Sequence, residues 1–83
     1  MSKPGYHLQK IDKGILGDFS KIREELEEAM DAQAQDCVIM ELVELSDMYG
    51  AIEAYLQHRY NMTMNDLKIM SDITKRAFKN GRR

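Results

Sequence analysis

Four carboxylates in this chain fall at spacings with chemical meaning: Glu25 and Glu28, then Glu44 and Asp47, each pair three residues apart. The surrounding segments, Lys21-Ile22-Arg23-Glu24-Glu25-Leu26-Glu27-Glu28 and Glu44-Leu45-Ser46-Asp47, read as helix, because apolar residues recur three and four apart with no Gly or Pro between them. At about 100° per residue, Leu26, Ala29 and Met30 cluster with Ile22, and Glu25 and Glu28 lie about 60° and 120° from Ile22. On the second helix Leu45, Met48, Ile52 and Tyr55 form the apolar stripe, flanked by Glu44 and Asp47. Each helix thus offers two carboxylates at the edge of the face it buries. Like charges at i and i+3 repel by a few tenths of a kcal/mol on an exposed helix, and desolvation against a partner helix raises that cost. A divalent cation relieves it, since Mg²⁺ takes hard oxygen ligands and retains waters. Ions held in this way would bind a phosphate chain. The alternative is two amphipathic helices whose glutamates are ordinary solvated surface.

The pattern Glu24-Glu25-x-x-Glu28, then Glu44-x-x-Asp47 after 15 intervening residues, resembles the EExxE…ExxD signature of the MazG-like, all-α nucleoside triphosphate pyrophosphohydrolases. Lys21 stands where that family often has a basic residue. The resemblance implies that Glu25, Glu28, Glu44 and Asp47 are Mg²⁺ ligands, with Mn²⁺ as a substitute. It implies hydrolysis of a (deoxy)nucleoside triphosphate between the α and β phosphates, acting on the dNTP pool. Glu24, beside Glu28 but outside the ligand pair, is the candidate for orienting the attacking water; a solvated side chain is the alternative. The implied fold is an all-α, short antiparallel bundle of three main helices per chain, completed by a homodimer or homotetramer with sites near the subunit contacts. Ser46 replaces the family's usual glycine in E-L-G-D, and the C-terminal helix matches only loosely, so the base-binding side does not carry over. Two other readings stay open. One is a phosphoribosyl-ATP pyrophosphohydrolase-like enzyme; the other is a non-enzymatic acidic helical protein that docks a basic partner.

Size and composition set the frame for these residues. A chain of 83 residues is expected to be one domain, 1–83, with a loop-rich arm over 1–17 and the bundle over 18–80. It buries only about 60–65% of its unfolded surface, which makes a lone core marginal. A net charge of −2 argues against general nucleic-acid binding. The single Cys37 forms no intrachain disulfide and reads as a buried thiol at a helix start. No apolar signal segment opens the chain, and no apolar run approaches the roughly 18 residues of a membrane span. A cytoplasmic protein without membrane contact is expected.

The elements that position the carboxylates follow in order. The arm holds Pro4, Gly5, Gly14 and Gly17 together with His7, Lys10 and Lys13. It is either solvated or folded over a nucleotide, with His7 or Lys13 on base, sugar or phosphate and Tyr6 stacked on the base. The first helix starts at Asp18 or Ser20 and runs to about Ala32, with Arg23 and Glu27 paired on its outer face. Residues 31–36 form the hairpin turn, and Asp36 caps a second helix that runs through Tyr55 or to Arg59. Met40, Leu42, Val43 and Tyr49 widen its apolar face, which predicts burial against several neighbours. Gly50 costs about 1 kcal/mol inside a helix, which close helix–helix approach, within or between subunits, would explain. Thr63-x-x-Asp66 reads as a capping box for a third helix ending near Lys79, before the stop signal Asn80-Gly81. Its inner face carries Leu67, Met70, Ile73 or Thr74, Ala77 and Phe78. Lys75, Arg76 and Arg82 either complement the helix dipole or reach the triphosphate opposite the metals.

Overall fold

The computed structural model describes residues 7–79, with side chains as far as Lys75. Among the described residues the chain is all-helical: α1 covers Phe19–Ala34, α2 Val38–Tyr60 and α3 Met64–Lys79. Asp18 caps α1, its side chain accepting from the Ser20 amide at 3.0 Å. Arg23 and Glu27 pair at 3.1 Å on the outside, as their i,i+4 spacing predicts. The capping box of α3 also forms, the Asp66 amide donating to Thr63 Oγ1 while the Thr63 amide donates to Asp66 Oδ2. The α1–α2 connection differs from expectation. Asp31 to Ala34 stay helical, and only residues 35–37 turn. Asp36 takes φ 59° there, so Cys37, half-buried and without a side-chain cap bond, stands at the N-cap. A tight turn needs one left-handed residue, and Asp tolerates that role.

The short turn folds α1 back along α2, and the Phe19 ring stacks on Tyr55 at 4.6 Å at the far end of the pair. α3 joins α2 over a much smaller contact. The face that α1 turns to α2 is not the predicted one. Buried apolar residues are Ala29, Ala32, Ala51 and Leu56, among which Glu24, Glu25, Asp31 and Glu44 are also buried. Leu26, Met30 and Leu45, read from sequence as core, are about half exposed. The three alanines account for this roll. Their small side chains let the backbones approach, and longer apolar side chains then fit only at the margins. Leu42, Val43 and Tyr49 likewise find no neighbour to bury them among the described residues, and Met70 and Ile73 of α3 are exposed. No described helix is long and apolar enough to cross a membrane.

At Gly50 only the within-chain half of the expectation is corrected. A Cβ added there meets nothing within 4 Å, so no close helix approach inside the chain requires glycine. Gly50→Ala should therefore stabilise the fold by about 0.5–1 kcal/mol, through the entropy of the unfolded chain and helix propensity. Denaturant unfolding checks this. A loss of stability would mean that something outside the chain occupies that spot.

Candidate metal centre

The antiparallel pairing of α1 and α2 brings the acidic pairs into one cluster. Glu25, Glu44 and Asp47 place one carboxylate oxygen each within 4.8 Å of the others, and Glu24, Glu25 and Glu28 form a second such triad. Glu25 belongs to both. It is 4% exposed and Glu44 is 2% exposed, so the charges sit at the centre of the helix interface rather than at its edge. Asp47 opens to solvent, where Lys21, Glu25, Ser46, Asp47 and Gly50 line a crevice of about 450 Å³. Two buried oxygens, Glu25 Oε1 and Glu44 Oε1, have no hydrogen-bond partner among the described residues. A buried carboxylate oxygen without a donor costs more than an ordinary lost hydrogen bond. An all-oxygen, anionic donor set of this kind fits a hard divalent cation such as Mg²⁺ or Mn²⁺.

Charge compensation inside the chain is partial. Lys21 Nζ lies 3.1 Å from both Glu24 Oε1 and Glu25 Oε2, bridging them from the crevice mouth. Burial, the hydrogen bond with Glu44 and the charge of Glu25 push Glu28 up to about 8. Burial also raises Glu44, and the charges of Glu25 and Asp47 add to it. Glu24 behaves oppositely. Burial would raise it, but the Gly14 amide at 2.8 Å and the Lys21 ammonium outweigh that and hold it below the ordinary range. Glu24 Oε1 is therefore committed to structural donors, and Lys13 Nζ stands 4.0 Å from Oε2. These partners leave the proposed water-orienting role to Glu24 Oε2 alone.

The arm reaches this bond to Glu24 through Gly14, packed so tightly that a Cβ would fall 2.3 Å from the Ser20 carbonyl oxygen. Gly17, at φ 92°, makes the turn into α1. Further along, the Leu8 and Gln9 amides donate to Asp31 Oδ2 at 2.8 and 3.3 Å. Burial alone would raise Asp31, but these amides and the Gln35 side chain hold it low. His7 is brought to the site's edge, 3.8 Å from both Glu28 and Asp31. Asp31 is the residue sequence reasoning missed. Its only signal was an acidic residue opening a predicted turn, which says nothing about a partner more than twenty positions away. Lys21, His7 and Lys13 thus gather around the carboxylates. Lys75 does not; it lines a separate crevice with Tyr49 and Leu67. The Arg76 side chain and all of Arg82 lie outside the described residues, as do Tyr6, Asn80 and Gly81. Comparison of the chain with family models, curated proteins and solved structures returns no match.

The opposing shifts predict the pH dependence of stability without divalent ions. Glu28 and Glu44 bind protons more tightly folded than unfolded, so their contribution is complete below the ordinary carboxylate range and is lost as pH rises towards about 8. Glu24 and Asp31 contribute above that range and lose it in acid. In chelator, the unfolding temperature should peak between about pH 5 and 6 and fall towards about pH 8.5. Glu28→Gln should flatten the alkaline limb. A flat wild-type profile over that interval would contradict the assignment.

Proposed function

We propose that this chain is a Mg²⁺-dependent nucleoside triphosphate pyrophosphohydrolase of the MazG-like kind, converting (d)NTP and water to (d)NMP and pyrophosphate. The observation that carries the reading is the pair of buried, partnerless oxygens of Glu25 and Glu44 inside the signature that the sequence resembles. A merely solvated acidic face would leave such oxygens in water. Glu25, Glu44 and Asp47 would hold one ion, and Glu28, with Glu25, would extend the ligand set. When bound, the metal neutralises the phosphate chain, polarises the α-phosphorus and lowers the pKa of the attacking water.

The remaining work falls to the chain's own groups. Lys21 offers a cation to the phosphates at the crevice mouth, and Asp47, on the open side, is where the substrate enters. His7 and Lys13 sit on the arm beside the acidic cluster, placed to touch the nucleotide as it docks. Glu24 keeps the arm seated through Gly14 and leaves Oε2 to orient water. No side chain serves as a covalent nucleophile, because water attacks and pyrophosphate leaves. The working unit is a homodimer or homotetramer, and the dNTP pool is the substrate source.

Pyrophosphate release from each of the eight common NTPs and dNTPs with Mg²⁺ tests the activity and the substrate class together. Glu25→Gln or Glu44→Gln should cut kcat by about 100-fold or more with a much smaller change in KM, since these groups act through the transition state. Turnover of phosphoribosyl-ATP alone would favour the phosphoribosyl-ATP pyrophosphohydrolase-like reading. Mn²⁺ titration by calorimetry gives an activity-independent check. Binding lost in Glu44→Gln supports a built site, whereas wild-type binding no tighter than that of an exposed acidic patch overturns the proposal.

A further inference from the structure

The acidic cluster offers two candidate cation positions, and they are furnished differently. Glu24, Glu25 and Glu28 bring one oxygen each within 4.8 Å of one another, and so do Glu25, Glu44 and Asp47. The first position already holds a charge. Lys21 Nζ lies 3.1 Å from Glu24 Oε1 and 3.1 Å from Glu25 Oε2. An ordinary i,i+4 surface pair leaves both partners in water, whereas these two acid side chains are only 3% and 5% exposed. Buried acids of that kind require a cation. Glu24 Oε1 also accepts the Gly14 amide at 2.8 Å, and Lys13 Nζ stands 4.0 Å from Glu24 Oε2. A carboxylate with so many donors has little to gain from a metal. At the second position Glu25 Oε1 and Glu44 Oε1 are buried without a hydrogen-bond partner among the described residues, beside the exposed Asp47. Glu25 therefore spans the two positions, one oxygen on the ammonium and the other without a donor.

We infer that the Lys21 ammonium is the built-in second cation of this centre, so that the chain binds one divalent ion, at Glu25, Glu44 and Asp47, where a paired-metal site takes two. The inference rests on the metal centre proposed above and adds its ion count. Paired metal sites hold their ions about 3.5–4 Å apart, clamped on one phosphate group. Here one member of the pair is tethered to α1 through the Lys21 side chain. The tether has two consequences. An ammonium is charged at neutral pH and stays in place at any divalent concentration, so filling the centre depends on a single ion. It is also no Lewis acid. It neutralises a phosphate oxygen and donates a hydrogen bond to it, but it does not lower the pKa of a bound water. Water activation then falls to the position at Glu25, Glu44 and Asp47. Of the three N–H donors of Lys21, two are matched by Glu24 and Glu25, and one is left for the phosphate chain. Lys21, Glu25 and Asp47 line one crevice, so both cations face a common substrate.

Counting Mn²⁺ on the full chain, by calorimetry and electron paramagnetic resonance, tests the proposal. The wild type should bind one Mn²⁺ per chain and show the spectrum of an isolated ion. Lys21→Met removes the charge and keeps an apolar stem of similar length. It should bind two, with the magnetically coupled spectrum of ions about 3.5–4 Å apart. Lys21→Arg, which retains a cation, should stay at one. If Lys21→Met unfolds in chelator, Mn²⁺ should refold it with the same count of two, because the second ion replaces the lost charge. A Lys21→Met chain that stays unfolded at millimolar Mn²⁺ overturns the proposal. So does a wild type that binds two coupled ions, or a folded Lys21→Met chain that binds only one; in both cases the metal centre itself stands. Absence of Mn²⁺ binding from the wild type and Lys21→Met alike overturns the metal centre and this inference with it.

Discussion

Burying Glu25 against Glu44 between two helices is the constraint to which the other features respond. Two carboxylates a few ångströms apart in a low-dielectric interface cannot both ionise without a neighbouring positive charge or proton. The chain answers in three ways. Lys21 bridges Glu24 and Glu25 at 3.1 Å. Glu28 keeps a proton to about pH 8. Small residues, Ala29, Ala32 and Ala51, bring the backbones close enough for the acids to meet. Even so, one oxygen on each of Glu25 and Glu44 is left without a donor. That remainder is what the proposed metal site rests on, because a fully satisfied carboxylate network would gain little by binding a divalent ion.

The acidic residues of α1 divide between two tasks. Glu24 and Asp31 are held below the ordinary carboxylate range by backbone amides of the preceding segment, so they serve as anchors that tie residues 8 to 14 along the helix. Glu25 and Glu28 have no such amide among the described residues, and the proposed ligand role falls to them. Four neighbouring acids with similar sequence surroundings thus acquire different chemistry from the direction each faces. Glu24 and Asp31, turned towards the arm, meet N–H groups; Glu25, turned towards α2, meets another acid. The same anchoring brings His7 to Glu28 and Asp31 and leaves the crevice beyond Asp47 open.

Much of this architecture was legible in the residues. The caps at Asp18 and at Thr63 with Asp66, the helix types and the Arg23–Glu27 pair follow from local pattern, which acts over three or four positions; that the two acidic pairs meet was an expectation from the resemblance. The rotation of α1 about its axis did not. An apolar stripe of Ile22, Leu26 and Met30 looks like a buried face when one helix is weighed alone, whereas two helices in contact weigh close approach through alanine against bulk. The arm's path was also hidden. A bond from the Leu8 amide to Asp31 spans more than twenty residues, and no periodicity encodes it. Asp36 was read as a cap because Asp commonly caps, yet the three-residue turn needed it in the left-handed region.

The two surprises, central acids and peripheral leucines, have one cause. Each helix has a single direction in which to face its neighbour, and the alanine and carboxylate positions of both share it. Whatever is not in that direction must lie on a flank, and the flanks differ. Towards one flank the arm supplies amides, so acids there are satisfied. Towards the other nothing in the described chain follows except the far part of α3, so Met30, Leu42 and Tyr49 stay bare. A charged interior that excludes the large apolar side chains therefore leaves little of the hydrophobic contribution of folding within the described chain. On that account the acidic centre and the exposed apolar flank are consequences of the same rotation of α1, and a sequence that restored Leu26 to the helix interface would displace Glu25 from it.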